Sequence, residues 1–214
     1  PVQSFTAASS SATSMAVADF NGDGNLDLVT THFSSSDNVS VLLGDGGGGF
    51  GAGIDSAGTT NDAFERASVT VADFNNDGQL DLATAMYGFE YGYLWRLDVW
   101  MGNGDGTFQS PNVPTVAGWP PHSVAAGDFN NDGNSDLVVS ADDGSGGTGF
   151  VFVHLGNGQG GFTSSGYVRG GAHDGGLVVG DLNGDGNLDA VGVGSDGSAY
   201  LGNGAGRLVT ASAY

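Results

Sequence analysis

The 214-residue chain sets four arginines and no lysine against 24 acidic residues, a net charge of -20, and it has no cysteine. That charge repels phosphate backbones and anionic lipid heads, which argues against nucleic-acid and membrane-surface partners, and no apolar run is long enough for membrane insertion. Disulfides and thiolate metal sites are excluded, so an ion that staples this chain is a hard cation held by oxygen.

The sequence opens on Pro1 without a charged-then-apolar leader and reads as a mature or excised soluble segment. Its 41 glycines recur beside aspartates at fixed offsets from short apolar runs, which is how turns punctuate a repeat protein and not how a low-complexity polymer is written.

In chain order, the first unit presents ADFNGDGNLDLV from Ala18, strand-like runs over Leu26 to Thr31 and Val39 to Leu43, and a glycine turn LGDGGGGF from Leu43. The second repeats this as ADFNNDGQLDLA from Ala72, runs over Leu80 to Ala85 and Leu97 to Met101, and MGNGDGTF from Met101. The third carries GDFNNDGNSDLV from Gly127, a run over Phe150 to Leu155, and LGNGQGGF from Leu155; the fourth carries GDLNGDGNLDAV from Gly180 and LGNGAGRL from Leu201. The leading aspartates Asp19, Asp73, Asp128 and Asp181 stand 54, 55 and 53 residues apart. Residues that suit strands fill the runs and helical spacing is absent, so the expected class is all-β.

Each unit parses as strand, aspartate loop, strand, variable loop, strand, glycine turn, strand: one four-stranded antiparallel blade. A single sheet of this size cannot bury both faces, so residues 1–214 are expected to form one β-propeller domain, with repeats at approximately 5–50, 51–108, 109–162 and 163–214. Phe20, Phe74, Phe129 and Leu182 follow the leading aspartates and are expected to pack blade on blade. Outer-strand candidates follow Phe5, Phe50, Phe108, Phe162 and Leu208, one more than four blades need. A closed four-blade ring, a homodimer completing an eight-blade ring and a part of a larger propeller all remain open.

Counted from the leading aspartate, the loop reads D-x-N-x-D-G-x-x-D. Calcium takes six to eight oxygens at flexible geometry, and alternate residues of a tight loop aim theirs at one centre. The expected ligand sets are Asp19, Asn21, Asp23, Asn25 and Asp27; Asp73, Asn75, Asp77, Gln79 and Asp81; Asp128, Asn130, Asp132, Asn134 and Asp136; and Asp181, Asn183, Asp185, Asn187 and Asp189, the fourth member of each offering its backbone carbonyl. About four Ca2+ ions, one per repeat, would bring the formal charge from -20 to -12. Crowded carboxylates repel one another unless a cation sits among them. The alternative is a metal-free hairpin rich in turn residues. An EF-hand is excluded because position 12 is Thr30, Thr84, Val139 or Gly192 instead of glutamate, and strands flank the loop.

On these motifs the chain resembles the FG-GAP or VCBS repeat proteins, whose members include the propeller head of integrin α subunits. The resemblance covers nearly all of the chain. It implies that the loop joins the two inner strands of a blade and binds calcium at the four sets above. The GAP tripeptide is missing, with Thr30 and Thr31 or Ser140 and Ala141 near its place, so integrin-type ligand recognition does not carry over.

The variable loops lie at the end of the blades opposite the aspartate loops, where binding residues on a rigid scaffold usually sit. Candidates there are Tyr87, Phe89, Tyr91, Tyr93, Arg66, Trp119, His122 and His173, with Asp142 nearby. Aromatic faces with a few polar groups suit sugars or a protein partner, although the same aromatics serve equally to plug the ring or line a subunit contact. His154, within a strand, is expected to be a packed core residue. The readings are a secreted or cell-surface binding module for glycans or proteins, lectin-like or adhesive; a polysaccharide lyase on a propeller scaffold; or a structural repeat region. No catalytic residue stands out.

Overall fold

A computed structural model describes residues 12–32, 39–56, 66–88, 94–112, 119–142, 149–170, 176–193 and 197–211. Every regular element among them is a strand, and the strands form four antiparallel sheets. The first holds β1 (Ala12–Ala18), β2 (Asp27–His32), β3 (Val39–Leu42) and β4 (Ile54–Ser56) in sequence order. The second holds β5 (Arg66–Ala72), β6 (Asp81–Gly88) and β7 (Leu94–Trp100), extended at its outer edge by a bridge from Val99 to Asn112. The third is β8 (Pro121–Gly127), β9 (Asp136–Asp142), β10 (Gly149–Gly156) and β11 (Phe162–Gly170). The fourth is β12 (Leu177–Gly180), β13 (Asp189–Gly192), β14 (Ser198–Gly202) and β15 (Leu208–Thr210).

Register follows the motif. Each aspartate loop closes on a facing pair, Ala18 with Asp27, Ala72 with Asp81, Gly127 with Asp136 and Gly180 with Asp189. Each glycine turn closes two strands further on, Gly44 with Phe50, Gly102 with Phe108, Gly156 with Phe162 and Gly202 with Leu208. Both turn types therefore lie at one end of every blade and the variable connections at the other. The strand after each glycine turn pairs with the sheet that precedes it. Of the two terminal strand candidates, β15 is the outer strand of the fourth sheet, and the segment after Phe5 lies outside the described residues.

The sheets stack face to face. Their innermost strands touch in succession, β1 with β5, β5 with β8 and β8 with β12. Three apolar clusters fill the junctions: Phe20, Val29, Val41, Leu82 and Trp100 in the first, Phe74, Leu97, Val99, Leu137 and Val139 in the second, Phe129, Val138, Val153, Ala190 and Tyr200 in the third. Middle strands such as β3, β9 and β10 are buried on both faces, which is why they read as near-continuous apolar runs. Phe20 meets Phe108 edge-on at 5.9 Å and Phe74 meets Phe162 at 5.5 Å, the blade-to-blade role expected of that position. Leu182 differs. It is exposed, with no described blade packed against it. No contact comparable to the other three joins β12 to β1 among the described residues, so the described blades form an open arc and not a closed four-blade ring.

Candidate functional site

Four acidic loops line one end of the arc. In the first, the Asp19 carboxylate accepts from the backbone N–H groups of Gly22 (2.8 Å), Asp23 (3.2 Å) and Gly24 (2.8 Å). The Asn21 side chain accepts from Asp23 N–H at 3.0 Å and donates to the Asp23 carboxylate at 3.0 Å, while Asp23 accepts from Asn25 N–H at 2.8 Å. The other three loops repeat this web with Asp73, Asn75 and Asp77, with Asp128, Asn130 and Asp132, and with Asp181, Asn183 and Asp185. Position 4 is left-handed throughout, as Gly22 (φ 71), Asn76 (59), Asn131 (59) and Gly184 (77), a conformation open to glycine and tolerated by asparagine.

The final aspartate has a separate task. Asp27, Asp81, Asp136 and Asp189 are fully buried. One oxygen of each accepts from the N–H two residues into the loop, at Phe20, Phe74, Phe129 or Leu182 (2.8 to 2.9 Å). The other accepts from the glycine N–H that opens the glycine turn, at Gly44, Gly102, Gly156 or Gly202 (2.7 to 2.8 Å). This carboxylate thus latches the two turns of a blade together. Those four glycines are required by close approach, since a Cβ on any of them would strike the backbone carbonyl of Leu26, Leu80, Ser135 or Leu188.

Electrostatics divides the loop in two. Asp23, Asp132 and Asp185 sit below the ordinary carboxylate range, chiefly through the backbone N–H of position 7 and then the asparagine side chain at position 3. Burial pushes Asp81 and Asp136 above it, against their two backbone N–H bonds, and the negative charges of Asp77 and Asp73, or of Asp132 and Asp128, push the same way. Among the described residues no three carboxylates converge into a preformed cage; their oxygens are turned onto N–H groups instead. The donor set nevertheless fits a hard cation. It is all oxygen, and its members repel one another in the way a divalent ion relieves. Position 7 contributes through its carbonyl at most, because in two loops its side chain is engaged next door: Asn134 accepts from Asn76 at 2.8 Å and Asn187 from Asn131 at 3.0 Å.

At the opposite end, the structure brings together some of the aromatic candidates. Tyr87, at the end of β6, lies 5.5 Å from the His122 ring at the start of β8. Nε2 of His122 is 2.8 Å from the Asp142 carboxylate at the end of β9. The His122 side chain is only 6% exposed, and its Nδ1 has no partner among the described residues. Trp119 stacks on Phe150 at 4.8 Å, with the Arg169 guanidinium 5.4 Å from the centre of the same ring and Tyr167 edge-on at 5.4 Å. Tyr167 is exposed. Arg66 faces Tyr87 in the β5–β6 register. Phe89, Tyr91, Tyr93 and His173 lie outside the described residues. His154 is the packed residue expected: buried, stacked on Phe152, and held below the ordinary histidine range by burial.

Sequence reasoning missed Phe150, Tyr167 and Arg169 as members of this face. The signal was the period-2 alternation of Phe150, Phe152 and His154 opposite Arg169 and Tyr167 in the β10–β11 register.

A stack of four-stranded blades with an acidic loop between the first two strands of each defines a repeat propeller. The chain belongs to the FG-GAP-like repeat family, which it matches over residues 19–84, 90–139 and 130–192. Among solved structures it is similar to the exotype rhamnogalacturonan lyase YesX, at 16% identity and a TM-score of 0.54, over 94% of this chain and 40% of that one. It is also similar to the Dos1 propeller, at 12% identity and a TM-score of 0.51, over 86% of this chain and 44% of that one. The chain thus spans less than half the length of either. No curated protein sequence matches it.

Proposed function

We propose that the protein is a calcium-stabilised, extracellular or cell-surface propeller module that binds a neutral glycan or a protein ligand at the variable-loop end of its second and third blades. The observation that supports this is the surface there: exposed Tyr167 and half-buried Trp119 border buried Phe150, beside a His122–Asp142 pair with an unpartnered ring nitrogen. Flat aromatic faces take up the apolar side of a sugar ring. The net charge of -20 favours a neutral or cationic ligand.

The side chains of Asp19, Asn21, Asp23 and Asp27, with the Asn25 carbonyl, and their counterparts in the other three loops, would hold the ions. Calcium would supply the positive charge that lets each acidic loop rest against its neighbour.

A glycan array in calcium tests the reading. Signal is expected to vanish with chelator and return with calcium, and Tyr167→Ala and Trp119→Ala should each weaken it about tenfold, the equivalent of about 1.4 kcal/mol of stacking, measured at a temperature where each variant is still folded. An array signal indifferent to both substitutions would overturn the assigned face.

One observation favours a second reading. A buried histidine–aspartate pair beside a tyrosine suits β-elimination from a uronate-containing polysaccharide, and the fold is shared with a lyase. His122 would take the proton beside the carboxylate, the C–O bond at the neighbouring carbon would break, and the Tyr87 hydroxyl would protonate the departing oxygen. Formation of unsaturated product, abolished in His122→Ala, would decide for it; the acidic surface weighs against a polyanionic substrate.

A further inference from the structure

Packing alone asks the same of every blade in a repeat protein, so a position where one blade departs from the others is where the fold is asked for something more. Two such departures, on different blades, meet in the third junction. In the first, the β10–β11 ladder skips a residue: Val153 faces Gly166 and His154 faces Ser164, so Ser165 stands outside the pairing. Gly166 takes φ 126, a conformation that glycine adopts without strain. The outer strands β4 and β15 pair with no such skip. The second departure lies in the glycine turn of the fourth blade. Its seventh residue is Arg207, where the first three blades have Gly49, Thr107 and Gly161.

Ser165 and Arg207 line one groove of about 210 Å³ between the outer strands of the third and fourth blades, with Val151, Val153, Leu208 and Val209 as its apolar lining. By the alternation along β10, Val151 and Val153 point to the side of the sheet opposite Phe150 and Phe152, so the groove lies across the sheet from the Trp119–Phe150 stack. The turn that carries Arg207 is pinned at its backbone. Arg207 N–H donates to the Asn203 side-chain oxygen at 3.2 Å, Asn203 N–H donates to Arg207 C=O at 3.1 Å, and Gly206 N–H ties the turn to Phe129 C=O at 2.9 Å. The guanidinium is left over. Arg96 is paired with Asp98, and Arg169 lies against Phe150, but no carboxylate pairs with Arg207 among the described residues. Its side chain is exposed at the groove, in a chain that sets 24 acidic residues against four arginines.

We infer that this groove binds a small organic monocarboxylate, with the acid group on the Arg207 guanidinium and the apolar body against Val151, Val153 and Leu208. Charge complementarity fixes the class of occupant. The planar fork of a guanidinium matches the two oxygens of a carboxylate, and such a pair is stronger and more directional than one with a point charge. One negative charge is the most the site accepts, because the surrounding net charge of -20 turns a polyanion away. Size fixes the rest. A cavity of about 210 Å³ is smaller than the roughly 300–1,000 Å³ that houses drug-sized molecules, so the body is short. The bulge adds the Ser165 hydroxyl to the groove, the kind of local re-aiming for which a ladder is interrupted.

Benzoate is the probe and benzamide its neutral isostere, each titrated into the full chain in calcium at low salt and followed by amide shifts in the NMR spectrum. Benzoate is expected to move the signals of Val153, Gly166, Arg207 and Leu208 and to saturate at about 10 mM, as suits so small a ligand. Benzamide should bind about tenfold more weakly, since it lacks the charge. Arg207→Gln, at an exposed position and so expected to melt like the parent, should lose about as much, while Arg207→Lys, which keeps the charge without the fork, should lose about threefold. Added salt should weaken benzoate and leave benzamide unchanged. Equal affinity for the two probes, which needs no variant to observe, would overturn the inference. So would undiminished benzoate binding in Arg207→Gln, shifts confined to the acidic loops, or no saturation by about 50 mM.

Discussion

Replacing Asp136 with asparagine isolates the latch between the two turns of the third blade. The carboxylate accepts from Phe129 N–H and Gly156 N–H, both at 2.8 Å, in a fully buried site. Asparagine keeps one acceptor and turns an N–H2 toward the other donor, so one charge-assisted bond is lost, about 1.5–3 kcal/mol, and a buried backbone N–H is left unpaired. Against this, burial holds the Asp136 carboxyl above its usual range, and a neutral amide removes that cost. The net is about 2 kcal/mol, a drop in Tm of roughly 4–8 °C for a chain of this size. Because Asp136 is also an expected calcium ligand, melting is to be measured in chelator, with Asp132→Asn as control. Asp132 is exposed in the loop, so its loss in chelator should be much smaller than that of Asp136, with its main effect appearing when calcium is present. Equal melting of Asp136→Asn and the parent in chelator, within about 1 °C, would refute the latch.

Two further predictions rest on single positions. Asp98 is buried on β7 and paired with Arg96 at 2.7 Å, and burial raises its carboxyl to about 6, beyond what Arg96 lowers it. A folded value above the unfolded 3.8 means that the proton favours the fold, so this stability is full below pH 3.8 and gone above about 6. Asp98→Asn, which does not titrate, should gain on the parent by about 2 kcal/mol between pH 4 and 7 in urea unfolding; a difference flat with pH would contradict this. Gly156→Ala forces a Cβ into the Ser135 carbonyl, which cannot rotate away, and should cost about 3 kcal/mol. Gly51→Ala, which meets only ordinary contact distances, should melt much closer to the parent, and equal losses at the two glycines would refute the argument.

The blades were legible because the repeat writes itself four times at 53 to 55 residues, and period-2 runs between turn residues admit few other folds. The four acidic loops were legible for the same reason. The latch was not. Asp27 and its counterparts read as ligands equivalent to Asp19 and Asp23, and only the closing pairs Ala18–Asp27 and Gly44–Phe50 show that the chain returns a glycine N–H to this carboxylate. Leu182 read like Phe20, because position within a motif says nothing about what packs against it. The aromatic face at the variable-loop end was half legible. Tyr87 and His122 stand 35 residues apart on different blades, and their meeting depends on how β6 and β8 stack, which no local pattern encodes.

The central claim is that each acidic loop holds one calcium ion, and ion counting by native mass spectrometry addresses it directly. Four calcium ions per 21.3 kDa chain are predicted, falling to three in Asp132→Asn and in Asp77→Asn, and to two when both are changed. A chain that keeps the same ion count in all three variants, or takes up no calcium at millimolar concentration, would contradict the account.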